Sequence, residues 1–336
     1  RPRRGPAPRA PGPATALLNS LFDEDAEVVK QATAVVKEKI EEMSAEERKK
    51  LGETVLKFMS GARVRKSKTV TVSCLRILGA LKDPGMAGVL LEQTGRKVAP
   101  PIRAAALLAL ANIDYSQMKN HAPICRKLFP LLGEDDYADV VANALTVLWK
   151  LEIGKEHGKE MLKLLKGQHH AVRMFALKSL GSVGGKDAAA KLIAALVGDD
   201  HKMHEMAASA LRGNQQFAPA VIRELRDVRD IPRAWKLANV LKSYRNAIDK
   251  ATLKTFLAKC LKLLDGNEGG FQIYFEILRS AAPDLLRENL LRRGRDLLRR
   301  KKFDAAQRAL ALLEREDLAT AETEYTLALA ELKLAG

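Results

Sequence analysis

The stretch AVRMFALKSLGSVGGKDAAAKLIAALVGDD, Ala171 to Asp200, contains two apolar-periodic runs, one closed by Gly184-Gly185 and the other by Gly198-Asp199-Asp200. In the first run Val172, Phe175, Ala176, Leu180 and Val183 recur at steps of three and four, which puts them on one face of a helix. The second run predicts a shorter helix, so the stretch reads as a helical hairpin. A lone hairpin cannot cover its own apolar stripe, and each Leu or Ile left in water forfeits roughly 1.5 to 3 kcal/mol. Neighbours of the same kind are therefore expected.

They are present. The small-then-Leu register Ala176/Leu180 recurs at Cys74/Leu78, Ala106/Leu110, Ala144/Leu148, Ala207/Leu211 and Leu237/Leu241, at spacings of 32, 38, 32, 31 and 30 residues. Looser copies stand at Ala32/Val36, at Tyr274/Phe275/Leu278 and at Ala306/Leu310. Each unit also supplies a second helix, as in PICRKLFPLLG, GKEMLKLLKG, DAAAKLIAALVG, FAPAVIRELRDV and ATLKTFLAKCLKLLD. A period of 30 to 40 residues with two helices per unit is the mark of an α-solenoid.

The unit beginning at His169 resembles a HEAT-like repeat of the phycobilisome-lyase type, through Val172-Arg173, Ala176-Leu177, Leu180-Gly181 and Asp199-Asp200. The match is good from about Ile102 to Gly213, looser from Val70 and out to about Asp265. The resemblance implies an all-α fold, a right-handed superhelix of about eight or nine helix pairs. It implies little about activity, because one scaffold carries unrelated functions.

The ends differ from the middle. Residues 1–14 are rich in Pro and Arg without periodicity and read as a disordered linker or tail, 15–282 as the solenoid, and 283–336 as Arg-rich capping helices with a faint tetratricopeptide likeness.

Composition is that of a core-forming protein: hydrophobic residues are 47%, charged residues 29% and aromatic residues 5% of the 336-residue chain. The net charge of +16 biases it toward anionic partners. Cys74, Cys125 and Cys260 lie far apart without metal-ligand spacing and read as buried free thiols. No apolar run reaches the length of roughly 18 to 20 residues that a spanning helix needs. Free thiols and the lack of such a run point to a cytoplasmic chain, or an exported one if a signal preceded Arg1.

Signals for catalysis are thin. His169, His170, His201 and His204 fall within one repeat length. The likeness to HEAT-like deoxyhypusine hydroxylases would require several His-Glu pairs, and only His204-Glu205 exists here. The likeness to a HEAT-like DNA glycosylase would require an aromatic cleft with a carboxylate, whereas Trp149 and Trp235 read as packing residues. The acidic pairs Asp135-Asp136 and Asp199-Asp200 stand before first helices, where carboxylates cap free N–H groups. No catalytic, metal-binding or cofactor-binding residue is assigned.

The basic residues say more. Aligned on their core leucines, the second helices carry two polar columns three residues apart: Lys127, Glu160, Lys191, Ala220, Lys259, and Pro130, Lys163, Ala194, Arg223, Lys262. Every unit places a Lys or Arg in at least one column. In HEAT-like solenoids second helices line the concave surface, so the resemblance implies a basic ladder along it. A denser cluster, RENLLRRGRDLLRRKKFDAAQR, includes Arg292, Arg293, Arg299 and Arg300 and carries a net charge of +6. Arginine suits bidentate contact with carboxylate or phosphate. The expectation is a non-enzymatic scaffold that binds an acidic or extended protein partner, with sequence-independent nucleic-acid binding by the same surface as the alternative.

Overall fold

Leu, Ala and Lys at helical spacing, with Gly, Pro and Asp at the breaks, produce nineteen α-helices and no strand among the described residues. The structure is a computed structural model that describes residues 18–335 except 19, 23–25, 117, 135–136, 267–269 and 316–317. The expected tail, 1–14, and the Asp135-Asp136 pair lie outside the described residues.

The chain divides into two compact units, one ending at Phe175 and the other starting at Ala176. The first holds α1 (Ala26–Glu42), α2 (Ala45–Met59), α3 (Ala62–Lys66), α4 (Lys68–Ala80), α5 (Ala87–Glu92), α6 (Pro100–Asn112), α7 (Ala122–Glu134), α8 (Ala138–Leu148) and α9 (Gly158–Leu164). Helix α10 (His170–Val183) contains the division. The second holds α11 (Lys186–Val197), α12 (His201–Arg212), α13 (Ala218–Asp227), α14 (Ile231–Leu241), α15 (Lys250–Asp265), α16 (Phe271–Ala281), α17 (Pro283–Arg299), α18 (Phe303–Arg315) and α19 (Ala321–Ala335).

Within each unit the helices form two layers. In the first unit α4, α6 and α8 pack in succession and α7 packs on α9. In the second, α12, α14 and α16 form one layer and α11, α13 and α15 the other. The register predicted from spacing supplies the core between them: all twelve of its residues, from Cys74 and Leu78 to Leu237 and Leu241, are 0% exposed. Of the looser copies, Val36, Tyr274, Phe275, Leu278, Ala306 and Leu310 are also buried.

Small residues next to the register leucines matter because they set how near neighbouring helices come. A Cβ on Gly79 of α4 would lie 2.6 Å from the Ala109 Cα of α6. One on Gly181 of α10 would lie 3.0 Å from the Ala210 Cβ of α12. The hairpin that began the sequence argument turns at Gly184 and Gly185, whose φ angles of 74° and 90° only glycine adopts without strain. Asp200 then starts α12 as an N-cap, accepting from the Met203 N–H at 3.1 Å, and Asp230 does the same for α14 with Arg233 at 2.7 Å.

Side chains also reach from one repeat into the one before it. Asn143 Nδ2 donates to the Ala104 carbonyl at 3.1 Å, Asn214 Nδ2 to Gly181 at 2.9 Å and the Tyr244 hydroxyl to Asn214 at 3.2 Å. Lysines do this at helix C-termini, where carbonyls lack intrahelical partners. Lys150 donates to Ala111, and Lys236 to Gly198 at 2.9 Å and Val197 at 3.4 Å.

Because the obstacle beside Gly79 is backbone, Gly79→Ala should destabilise the protein by about 1 to 3 kcal/mol, the usual cost of overpacking. Gly88, on the exposed side of α5 with nothing within 4 Å of its missing Cβ, serves as control. Gly88→Ala should gain roughly 0.5 to 1 kcal/mol from helix propensity. Urea midpoints of the two variants should therefore move in opposite directions.

Candidate interaction surface

The second helices α11, α13 and α15 present the second unit's share of the predicted columns. Between α11 and α13 runs a groove floored by Ala189, Ala190, Ala194 and Ala220 and bordered by Lys186, Arg223 and Arg233. Ala194, Ala220 and Arg223 are column residues, so the predicted face and the groove coincide there. Lys191 is exposed one turn from Ala194, and Lys262 is exposed on α15. In the first unit Lys127 and Lys163 are exposed on α7 and α9.

Three cations face one carboxylate in this groove, Glu224, which pairs with Arg233 at 2.5 Å. Farther along α13, Arg226 grips Asp227 through two contacts of 3.0 and 3.3 Å. That hydrogen bond first, then the charges of Arg226, Lys259 and Arg223, hold the Asp227 carboxyl below the usual carboxylate range. The α13 side of the surface thus gathers Arg223, Arg226, Arg233 and Lys259 around two carboxylates, Glu224 and Asp227.

Lys259 differs from its column mates. Its ammonium donates to the Arg226 carbonyl near the C-terminus of α13, lies 3.4 Å from the Tyr274 hydroxyl and stands 5.4 Å from the Tyr274 ring centre. Burial holds its pKa below that of an ordinary lysine, against the pull of Asp227. Lys259 therefore does for α13 what Lys236 does for α11. The spacing of the columns could not distinguish it from Lys262.

In the C-terminal cluster the structure separates four arginines in the same way. Arg293 is half-buried and bidentate to Asp265 of α15 at 3.2 and 2.5 Å. Arg299 pairs with Asp296 on its own helix but keeps 76% of its side chain exposed. Arg292 donates to Asn289, and both Arg292 and Arg300 are exposed. Lys186 and Arg233 escaped the sequence reading: Lys186 precedes the columns, and Arg233 sits on a first helix, where its place at the groove depends on how α14 packs.

Most of the residues weighed for chemistry are packed or bonded within the fold. His204 Nδ1 meets the Leu196 carbonyl, and His201 lies 3.8 Å from Glu205 with 80% of its side chain exposed. No group of three or more His, Cys, Asp or Glu side chains among the described residues could hold a metal ion. Cys74, Cys125 and Cys260 are buried and unpaired, and burial pushes their thiols up to about 12, 11 and 12, far from the thiolate a nucleophile requires. Trp149 packs edge-on against Phe175, with ring centres 5.2 Å apart.

The first unit has a concavity of about 800 Å³ where first helices end. Lys82 and Lys150 face Asp114 and Glu152 across it, so neither sign predominates. No described helix is long and apolar enough to cross a membrane.

Residues 125–212, which run from α7 to the end of α12, match the family described as HEAT repeats. No curated protein matches the chain in sequence. Among solved structures, the chain is similar to the complex of CpcE and CpcF of phycocyanin lyase from Nostoc sp. PCC7120, at 13% identity and a TM-score of 0.37, covering 76% of this chain and 97% of that one. It is similar to Kap121p at 14% identity and a TM-score of 0.48, where it covers 96% of itself and spans 39% of Kap121p. It is similar to human deoxyhypusine hydroxylase at 15% identity and a TM-score of 0.29, covering 80% and 95%.

Lys259→Ala should lower stability by roughly 1 to 3 kcal/mol, the range for a lost hydrogen bond to a charged donor. Lys262→Ala should change it by less than about 0.5 kcal/mol, as expected at an exposed position. Thermal unfolding of the two variants beside the parent checks the contrast.

Residues 125–212 are thus matched as HEAT repeats, and the same buried register continues on either side of them.

Proposed function

We propose that this protein is a non-enzymatic interaction scaffold and that the second-helix surface of its second unit holds an acidic, extended polypeptide. The observation that supports this reading best is the α11–α13 groove, where three cations, Lys186, Arg223 and Arg233, border a floor of alanine methyls and face one carboxylate. The small floor lets a backbone approach closely, and the cations supply the matching charge for Asp or Glu side chains. Each such contact is weak by itself, so affinity comes from several in register and falls with salt.

Nucleic acid is the less favoured occupant. Single-strand binders stack bases on aromatic side chains, and the residues lining this groove include none. A phosphate backbone would still be attracted by the same cations, so the two occupants must be compared directly.

The test is fluorescence anisotropy with a labelled glutamate-rich peptide and a labelled oligothymidylate of equal charge, across a salt series, for the parent and for Lys191→Glu/Arg223→Glu. The peptide should bind more tightly, and the double variant should weaken it about tenfold, which corresponds to roughly 1.4 kcal/mol. Preference for the oligonucleotide would transfer the surface to nucleic acid. Equal peptide binding by parent and variant would remove the α11–α13 groove from the account.

A further inference from the structure

The C-terminal helices carry a second surface of different composition. Along α17, Arg292, Arg295 and Arg299 follow one another at steps of three and four residues and share a shallow trough with Leu291 and Glu288. That spacing makes one ridge of guanidinium groups along one helix face. On α19, Glu322, Tyr325, Leu329 and Leu332 also follow one another at steps of three, four and three.

The opposite side of α19 is its packed side: Thr323, Thr326, Leu327 and Ala330 are buried, and Leu327 and Ala330 share a cluster with Leu297 of α17 and Leu310 of α18. Tyr325 is nevertheless 72% exposed and Leu332 68%. Single exposed apolar residues are ordinary, but three at helical spacing on one face form an unpartnered stripe.

One ion pair brings the two rows together. Arg295 on α17 pairs with Glu322, the first member of the α19 row. Helix α19 also packs directly on α17. The apolar row therefore begins where the arginine row lies.

We infer that the α17–α19 surface docks an acidic amphipathic helix from a partner protein, with the partner's apolar stripe on Tyr325, Leu329 and Leu332 and its acidic flank along Arg292, Arg295 and Arg299. Three observations select this occupant. The rows have helical spacing, so the ridges of a second helix pack along them. The arginine row already engages carboxylates, Arg295 with Glu322 and Arg299 with Asp296, so the guanidinium groups stand where a partner's Asp or Glu side chains would extend or exchange those contacts. A second copy of this chain would bring the same arginines against themselves, an arrangement that like-charge repulsion opposes. The surface is separate from the α11–α13 groove and depends on none of its residues.

The probe is a labelled synthetic helix with leucines along one face and glutamates on both flanks. One control peptide replaces the glutamates with lysine, and a second keeps them but replaces the leucines with serine. Protein variants are Arg292→Glu/Arg299→Glu, Tyr325→Ser/Leu332→Ser and, for the other surface, Lys191→Glu/Arg223→Glu. The substituted residues are exposed, so circular dichroism of all three variants should match the parent.

The leucine–glutamate peptide should bind the parent, and each control should bind about tenfold more weakly or worse. The arginine pair and the Tyr325/Leu332 pair should each cost about tenfold, with only the arginine pair reducing the salt dependence. The groove variant should bind as the parent does, so failure here and failure of the groove are read separately. Absent binding, equal binding of the serine control, or full affinity after Tyr325→Ser/Leu332→Ser would overturn the inference. Displacement of the peptide by an equally charged oligonucleotide or by anionic vesicles at lower concentration would overturn it in favour of those ligands.

Discussion

A helix pair with an apolar stripe must be covered by the next pair, and this requirement organises each unit. It is met by a buried pair four residues apart that ends in leucine and, in five of six copies, begins with Ala or Cys, repeated every 30 to 38 residues. Small residues beside the register leucines, such as Gly79 and Ala109, let neighbouring helices approach, and the leucines fill the layer that results. Every residue of the twelve-member register is fully buried, so the same rule operates in both units.

Stacking creates a second requirement. Helices that end inside a stack leave carbonyl groups without intrahelical partners, and an unpaired buried carbonyl costs free energy. Here the following repeat sends back a Lys, Asn or Tyr: Lys150 to Ala111, Asn214 to Gly181, Lys236 to Gly198, Tyr244 to Asn214 and Lys259 to Arg226. A share of this protein's lysine is consequently structural. Its net charge of +16 is no direct measure of the charge available to a ligand.

Two sets of basic side chains outside this structural set lie beside apolar surface, one on the second helices and one on α17. The α11–α13 groove is lined by four alanines and Ile193 among charged side chains, which suits a thin, extended ligand. The α17–α19 surface has a ridge of arginines beside a ridge of large apolar side chains, which suits a thicker, amphipathic one. The difference follows from the floors: alanine methyls permit close approach of a backbone, whereas Tyr325 and Leu332 project and must be met by side chains. Two surfaces of distinct chemistry on one unit are consistent with a scaffold that engages separate partners or separate segments of one partner.

The sequence by itself determined the all-α class, the repeat, the buried register and the hairpin turn at Gly184-Gly185, because helical periodicity and positive φ are local properties that leave a mark every three or four residues. It also placed Lys191, Arg223 and Lys262 on exposed second-helix faces. Only tertiary structure decided which basic side chains are available. Lys259 and Lys262 look alike in the chain, yet one meets a carbonyl contributed 33 residues earlier and the other meets solvent. Arg233 reaches the groove from a first helix, and Arg295 joins α17 to α19 through Glu322. Such pairings depend on the offset with which one repeat stacks on the next, a distance between helices that no spacing within a helix records.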